Sequence, residues 1–446
     1  MPSSHISPLP IADGAIEAAV SKKLLWHFTT FLFFLFIAAG LDRSNVSFAA
    51  LTMNRSLGFD PSVFGTGAGL FFVGYCLFGV PSNLILEKLG SRRWLSIITI
   101  VWALISASTA FVHTPTQFYV VRMLLGLAEA GVGPGVVLMI TYWSPKKLHA
   151  RFLAVAGIAS LIIAMVNAPV SAQILVHLNG PLGLQSWQWL FLIEAVPAIV
   201  MGIVILLWVA PKPQDAKWLT PEEKQWLIAT IESERSGSDT SHGLTIGRTL
   251  IKPRVMIFCA IYFFQVMAYV GLQMWTPLIV QSHGLGTTQI GWTLGLANAI
   301  SAIGVIWWSR RSDRTGERKW HLIIPLLASA IGLIAAGNTS SIPILLVSLT
   351  IALWGGWCSV TIFMTIPTAY LTGAAAAAGL AFIQAIGNIG GFVSPTVIGW
   401  VRKTSGSFAG GLYTIAFVML LATLLSFIVF AKGPAKTDAE AVRHPV

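Results

Sequence analysis

The sequence predicts an all-α membrane protein in which about twelve transmembrane helices form two six-helix pseudo-repeats. Three features of the 446-residue chain support this prediction: its composition, the length of its apolar runs and an internal duplication. Hydrophobic residues make up 55% of the chain and charged residues 10%, and the mean hydropathy is +0.76. Soluble globular proteins are far less apolar, so this chain needs lipid as its solvent.

Apolar stretches of about 20 residues, the length that a helix needs to cross the hydrocarbon core, occur about twelve times. The polar N-terminal segment lacks a short apolar core followed by a cleavage site, so we expect the first apolar run to be a retained helix. The predicted organisation is an N-terminal tail at 1–23, a bundle at 24–210, a linker at 211–250, a second bundle at 251–431 and a C-terminal tail at 432–446.

The duplication becomes visible when residue numbers are subtracted. EKLGSRR at 87–93 matches DRTGERK at 313–319, an offset of 313 minus 87, or 226. The same offset relates three further pairs: Gly65 and Gly291, Gly69 and Gly295, and Pro169 and Pro395. A parallel duplication of this kind predicts two similar halves that rock about a substrate cavity near the bilayer midplane.

Within the linker, Thr220 is followed by Pro221, Glu222 and Glu223. Threonine three residues before a glutamate forms a capping box, and proline suits the first position of a helix. We therefore predict an amphipathic helix over TPEEKQWLIATIESER, lying on the cytoplasmic surface as a connection between the halves and not as a further domain.

Basic residues predict the topology. The chain carries a formal net charge of +11, and most basic residues near the spans fall in alternate short loops. By the positive-inside rule these loops and both termini are cytoplasmic, and the excess charge suits contact with anionic lipid and not with nucleic acid. The residues that decide this are Lys88, Arg92, Arg93, Lys146, Lys147, Arg151, Arg310, Arg311, Arg314, Arg318, Lys319, Lys432 and Lys436.

The sequence lacks the motifs of several common enzyme and ATP-binding sites. The chain has no G-x-x-x-x-G-K-[ST] loop for ATP and no supported Ser-His-Asp or HExxH constellation. Cys76, Cys259 and Cys358 are scattered singly in apolar segments, which favours small core residues over metal ligands or disulfides. We therefore expect no enzyme activity, no catalytic residue, no metal site and no cofactor.

Four ionisable residues of the first half lie at apparent membrane depth. Asp42 and Arg43 follow a long apolar run, and Arg122 and Glu129 stand two turns apart on one face of the fourth span. Intramembrane charges usually mark an ion or substrate pathway, which indicates an ion-coupled carrier. The alternative for each is a structural ion pair that holds neighbouring helices together.

The two loop segments resemble the signature of the major facilitator superfamily between its second and third helices, with a weaker copy in the second half. Ser91 departs from the basic residue that is commoner at its position. This resemblance implies that the loops take part in conformational gating. The matching residues are Glu87, Lys88, Gly90, Arg92 and Arg93 in the first half and Asp313, Arg314, Gly316 and Arg318 in the second.

Other segments are similar to the anion:cation symporter family over nearly the whole chain. They are LDRSNVSFAAL, GLAEAGVGPG, WQWLFLIEAVPA, PQDAKWLTPEEK and AIGNIGGFVSPTVIGW. Within that family the chain resembles the bacterial 4-hydroxyphenylacetate permease branch, with tartrate and phthalate carriers as near relatives.

This resemblance implies roles for residues in the LDR and AEA contexts. Asp42 and Glu129 match positions that become protonated, and Arg43 matches the position that anchors the substrate carboxylate. Arg122 matches a residue that pairs with the acid of its own helix and relays protonation. The residues themselves agree with this, because a half-buried guanidinium offers a planar fork of donors to a carboxylate.

The second half has no Asp, Glu, Lys or Arg deep in its spans. The family resemblance implies that organophosphate exchangers of this fold oppose an arginine from each half against the phosphate, so this chain resembles carriers of a substrate with one carboxylate more than those of a phosphorylated one. The polar and aromatic candidates of the second half suit hydroxyls and a flat body. For the tryptophans the alternative is packing or an interfacial belt, and relatives often carry asparagine at the position of Gln384. The predicted uncharged contacts are Tyr75 in the first half and, in the second half, Gln265, Tyr269, Trp354, Trp357, Gln384 and Asn388, with Gln273 and Asn298 nearby.

Glu194 follows Trp187 and Trp189 closely, so its sequence position leaves a structural role and a gating role equally open. The predicted function is proton-coupled import of a small organic anion, a monocarboxylate or an aromatic or hydroxy carboxylate, by alternating access across a bacterial inner membrane. Protons are the coupling ion, and we expect a monomer surrounded by lipid. An exchanger or exporter of the same fold is the alternative, and a transporter-like receptor is a third possibility.

Overall fold

The computed structural model describes residues 10–236, 250, 252–371 and 374–431. Among them are 12 helical segments that are long and apolar enough to cross a membrane, which confirms the predicted fold class. The first half contains α1 (Pro10–Leu57), α2 (Pro61–Leu89), α3 (Ser91–Ser108), α4 (Pro115–Glu129), α5 (Val132–Trp143), α6 (Lys146–His177) and α7 (Ser186–Trp208).

The linker contains α8 (Pro221–Ser236). The second half contains α9 (Pro253–Ser282), α10 (Thr287–Thr315), α11 (Lys319–Gly337), α12 (Ile342–Phe363), α13 (Thr365–Tyr370), α14 (Ala374–Ser405) and α15 (Ala409–Ala431). Helix α1 begins inside the segment predicted as a tail, and the predicted C-terminal tail at 432–446 lies outside the described residues.

The fourth and tenth spans are each divided into two helices. In the fourth, the break follows Glu129 directly, and α5 begins in the VGPG segment. Pro134 has no backbone N–H to bond to the preceding turn, so it favours an interruption at this point. The break leaves Glu129 as the last residue of α4, in the interior of the protein.

The linker helix α8 is docked on the first half. Thr220 and Glu223 form the predicted capping box: each backbone N–H bonds the other residue's side chain, at 2.9 and 3.3 Å. Glu223 also forms an ion pair with Lys23 at 2.7 Å. Partial burial would raise the pKa of Glu223, yet these hydrogen bonds and the lysine charge lower it overall. Leu227 and Ile231, on the same helix face as Glu223, are also buried.

The repeat-related residues form two close contacts between the halves. Helix α2 crosses α14 where Gly65 lies against the Pro395 carbonyl, and α10 crosses α6 where Gly291 and Gly295 lie against Pro169. A Cβ atom at any of these glycines would approach the facing helix too closely. The duplication therefore places one close helix crossing on each flank of the molecule.

We expect a larger side chain at Gly65 to destabilise the close crossing of α2 and α14. Gly65→Leu would overpack the contact with Pro395, and overpacking of this kind costs about 1–3 kcal/mol. Gly79→Leu on the same helix is the matched control, because a Cβ at Gly79 meets nothing within 4 Å. The measurement is thermal unfolding of the purified protein: only Gly65→Leu should lower the midpoint. Equal midpoints for the two variants would contradict the prediction.

We call the ends of the bundle that carry the loops at 87–93, 146–151 and 310–319 the basic side, and the other ends the opposite side. On the opposite side, Asp60 and Lys403 join the two halves through an ion pair at 2.8 Å. Hydrogen bonds from Lys403 and from Ser62 hold the pKa of Asp60 well below its usual range. The carboxylate therefore stays charged at physiological pH, so this contact does not titrate there.

Further contacts close the opposite side. The amide of Gln281 donates to the Leu51 carbonyl at 3.2 Å, and the rings of Phe64 and Trp275 meet edge to face at 5.0 Å. These contacts join α1 and α2 of the first half to α9 of the second. The structure is therefore closed on the opposite side.

The loops predicted to act in gating bond within their own half. Arg92 donates to the Leu206 carbonyl at the end of α7, and Arg318 forms an ion pair with Asp313 at 2.8 Å. Gly90 and Gly316 have φ values of +80° and +67°, which favour glycine. Their ψ values of 154° and −1° differ, so the two loops share a glycine of positive φ but not one backbone conformation.

Candidate functional site

A cavity of about 440 Å³ lies between the two halves. This volume falls within the usual range of small-ligand sites. Among the described residues that line it, only Arg43 and Arg122 carry a charge, and both belong to the first half. The second half contributes hydroxyl, amide and aromatic groups, including Tyr262, Tyr269, Gln273, Thr276, Asn298, Trp357 and Asn388.

Arg43 points from α1 into this cavity. Its Nε donates to Glu129 Oε1 at 2.9 Å, and 43% of its side chain is exposed. The Tyr75 ring centroid lies 5.3 Å from its Cζ atom. Because the bond to Glu129 uses Nε, the outer edge of the guanidinium, with its two terminal nitrogens, faces other acceptors, of which the Tyr75 hydroxyl oxygen is one. That edge has the geometry to bind a carboxylate through two hydrogen bonds.

Glu129 pairs with Arg43 and not with Arg122, contrary to the pairing that the family resemblance implied. Seven residues along a helix correspond to about 10.5 Å of rise, so a direct bond between Arg122 and Glu129 would need both side chains extended toward each other. Arg122 is 1% exposed, and its Nε and Nη1 atoms have no hydrogen-bond acceptor among the described residues. Its Cζ atom lies 5.3 Å from the Phe71 ring centroid.

Asp42 faces away from Arg43, since neighbouring residues on a helix point about 100° apart. Its Oδ1 atom accepts hydrogen bonds from the hydroxyl of Ser106 on α3 and from Asn45. Its Oδ2 atom is buried and has no donor among the described residues, and the same holds for Glu129 Oε2. An ionised carboxylate offers about four acceptor sites, so both acids are poorly solvated in this state.

The structure places six of the nine predicted substrate contacts on the cavity wall: Arg43, Tyr75, Arg122, Tyr269, Trp357 and Asn388. Tyr269 and Trp357 meet edge to face with centroids 5.0 Å apart. These two rings form an aromatic surface on the part of the cavity wall that the second half of the protein contributes.

The other three predicted contacts lie away from this wall. Gln265 is fully buried in the core, and its amide has no partner among the described residues. Trp354 packs against Trp308 with ring centroids 5.5 Å apart, and Gln384 is an exposed residue of α14. Each is polar or aromatic in an apolar span, but a helix presents such residues to the cavity, the core or the lipid according to its rotation.

The whole-chain comparisons agree with this geometry. The family model of the Major Facilitator Superfamily matches residues 32–318 and again residues 279–445. The chain belongs to the Major Facilitator Superfamily. Membership makes it a multi-pass membrane transporter of a small-molecule substrate and not an enzyme, as the sequence predicted.

Two relatives in the superfamily extend over almost the entire chain. The Agrobacterium vitis protein named "Putative tartrate transporter" is 42% identical over 97% of this chain and 96% of its own length. The Acinetobacter baumannii protein named "Quinolone resistance transporter" is 34% identical over 96% of this chain and 99% of its own. Relatives that carry the first of these names are consistent with the predicted anion:cation symporter branch of the superfamily.

A solved structure shows the same superfamily fold. It is that of a bacterial homologue of the human lysosomal transporter Spinster, with a TM-score of 0.75 over 91% of this chain and 97% of that one. The sequence identity is 15%, so this likeness establishes the fold alone.

Sequence reasoning missed several polar residues of the cavity wall. Ser44 and Ser47 lie on α1 beside Arg43, and Asn167 lies on α6. Ser47 could have been found, because it stands four residues after Arg43 and therefore on the same helix face. Asn167 could have been found as an amide two residues before Pro169 in an otherwise apolar span.

The cysteines differ in exposure. Cys259 and Cys358 are buried, as predicted, whereas Cys76 is exposed. Within the described part of the chain no group of three or more His, Cys, Asp or Glu side chains is placed to hold a metal ion.

Proposed function

We propose that this superfamily member imports a small organic anion together with protons. The observation that carries the proposal is the position of Arg43, which lines the cavity, is 43% exposed and bonds Glu129 through Nε. The Nε atom of this guanidinium bonds an acid, while its terminal nitrogens face other acceptors. The site therefore combines a binding position for a carboxylate with a titratable group that contacts it directly.

Binding and protonation are coupled through this contact. A substrate carboxylate at the outer edge of Arg43 brings a second negative charge close to Glu129, and like charges in a site of low dielectric repel strongly. A proton on Glu129 removes that repulsion and loosens the hold of Glu129 on Arg43. Asp42, one residue away and bonded to α3, is the second proposed proton carrier.

The cavity favours a hydroxy or aromatic carboxylate. The first half contributes two arginines to the cavity wall, and the second half contributes the rings of Tyr269 and Trp357 and the amides of Gln273 and Asn388. These groups suit hydroxyl groups or a flat ring. The name of the 42% identical relative makes tartrate the first anion to test, and 4-hydroxyphenylacetate tests the aromatic class.

We place the basic side and both termini in the bacterial cytoplasm, following the positive-inside rule. On this orientation the closed opposite side is periplasmic. Protons are the coupling ion in this proposal, and the protein acts as a monomer in the inner membrane.

Uptake by proteoliposomes with an imposed pH gradient tests the proposal. Radiolabelled tartrate and 4-hydroxyphenylacetate are supplied outside liposomes that contain the purified protein. We expect an alkaline interior to drive accumulation of one of them above its equilibrium level. Uptake that responds only to preloaded unlabelled anion would indicate exchange, and binding without accumulation would indicate a receptor.

Export is the second candidate function, because the 34% identical relative is named a quinolone resistance transporter. In the same liposomes an exporter would release a preloaded aromatic carboxylate faster when the outside is more acidic than the inside. A symporter working inward would retain the substrate under that gradient.

A further inference from the structure

Glu194 is a third buried carboxyl, and the coupling described above does not use it. It lies on α7 and is 3% exposed, so it is in the protein interior. None of the ion pairs in the described residues includes it. A buried carboxylate without a cationic partner is costly in a medium of low dielectric.

A chain of hydrogen bonds joins Glu194 to the cavity. Ser171 Oγ lies 2.6 Å from Glu194 Oε1 and 3.1 Å from Asn167 Oδ1. The other end of the Asn167 amide, Nδ2, donates to Ser44 Oγ at 2.7 Å, and Ser44 in turn donates to the Gly40 carbonyl. Ser44 and Asn167 both line the cavity.

With the Asn167 amide oriented as in the structure, Oδ1 toward Ser171 and Nδ2 toward Ser44, the number of hydrogen atoms in these hydrogen bonds favours one protonation state of Glu194. Ser171 has one hydroxyl hydrogen, and both of its neighbours would be acceptors if Glu194 were ionised. One of the two short contacts would then lack a hydrogen, leaving a buried oxygen without a donor. If Glu194 carries a proton, it donates to Ser171, Ser171 donates to Asn167, and both contacts are satisfied.

The surroundings favour the same state. Helix α7 packs against α1, α3 and α6. The titratable group that acts on Glu194 from these helices is the acid Asp42 on α1, while α6 supplies the neutral groups Ser171 and Asn167. On α3, Ser106 is bonded to Asp42. Two carboxylates in one buried space repel each other, so charge on both is unfavourable.

We propose that Glu194 holds a proton in this state and that this proton is linked to the substrate cavity through Ser171 and Asn167. Glu194 is then a third protonation site beside Asp42 and Glu129. This inference rests on the proposed function for its role in transport, but the proton itself can be tested without any substrate. Loss of the proton would leave Asn167 without its donor and so disturb a polar group on the cavity wall.

Infrared spectroscopy of the purified full-length protein in liposomes tests the proposal, because a protonated carboxyl has its own C=O stretching band. We expect Glu194→Gln to remove one such band at neutral pH, and Ser171→Ala and Asn167→Ala each to shift it. Glu222→Gln is the matched control, since Glu222 is exposed on the linker helix and should leave that band in place. Glu194→Gln keeps the shape and a donor, so it preserves the fold better than alanine.

Several results would overturn the inference. One is that no protonated-carboxyl band depends on Glu194, and another is that the band ignores both Ser171→Ala and Asn167→Ala. A carboxylate band of Glu194 that responds to Na⁺ replacing K⁺ would indicate a cation site instead. If the band behaves as expected but no anion is accumulated under a pH gradient, the proposed function fails and the proton on Glu194 stands.

Discussion

Replacing Arg43 by alanine is expected to abolish uptake and to weaken substrate binding about 100-fold or more. The change removes the fork that lines the cavity, and each charge-assisted hydrogen bond contributes about 1.5–3 kcal/mol. It also leaves Glu129 without its cationic partner. The measurement is the shift in the thermal unfolding midpoint caused by tartrate or 4-hydroxyphenylacetate, because a ligand that binds only the native state stabilises it.

Arg43→Lys is the matched control for this prediction. Lysine keeps the positive charge near Glu129 but lacks the planar pair of terminal nitrogens, so it cannot bind a carboxylate through two parallel bonds. We expect weaker binding than in the unmodified protein and stronger binding than in Arg43→Ala. A ligand-induced stabilisation that survives in Arg43→Ala would contradict the assignment of Arg43 as the anchor.

Replacing both Asp42 and Glu129 by their amides is expected to uncouple transport from the proton gradient. Asparagine and glutamine retain oxygens that accept from Ser106 and from Arg43, so the local bonds are preserved while both groups lose the ability to take up a proton. We expect accumulation driven by an alkaline interior to fall to the equilibrium level. Exchange of labelled for unlabelled anion should continue, because it needs no net proton movement.

The comparison between these two assays distinguishes uncoupling from misfolding. A variant that fails in both assays has lost its structure or its binding site, whereas loss of accumulation alone identifies the proton carriers. Glu222→Gln should behave as the unmodified protein in both assays, since Glu222 is exposed on the linker helix. Full accumulation by the double variant would contradict the proposed coupling.

The charged residues of the candidate site were predictable from the sequence, because ionised groups are rare in apolar spans. Arg43 and Glu129 could be identified because ionised groups in apolar spans need a function or a partner. Their mutual pairing could not be identified, because it depends on where α1 crosses α4. The sequence suggested a bond within one helix, and the structure shows a bond between two.

The uncharged contacts were less predictable, because both the rotation of a helix and the position of a residue along its axis decide what the side chain faces. Tyr269 and Gln265 stand four residues apart on α9, yet Tyr269 lines the cavity while Gln265 is enclosed in the core. Four residues advance a helix by about 6 Å along its axis, which is enough to move a side chain from the cavity wall to a packed layer. The apolar pattern of a membrane span does not record this difference, because lipid, core and aromatic cavity all accept similar residues.

By itself the sequence determined the solvent, the number of spans and the duplication, because hydrophobic length and repeated residues are properties of the chain alone. It also identified Gly65 and Gly291 as one pair of equivalent positions and Pro169 and Pro395 as another. Only the tertiary structure showed that each glycine packs on the proline of the other half. It also decided which acid faces which arginine and joined Glu194 to the cavity, because such contacts depend on how separate helices are placed against one another.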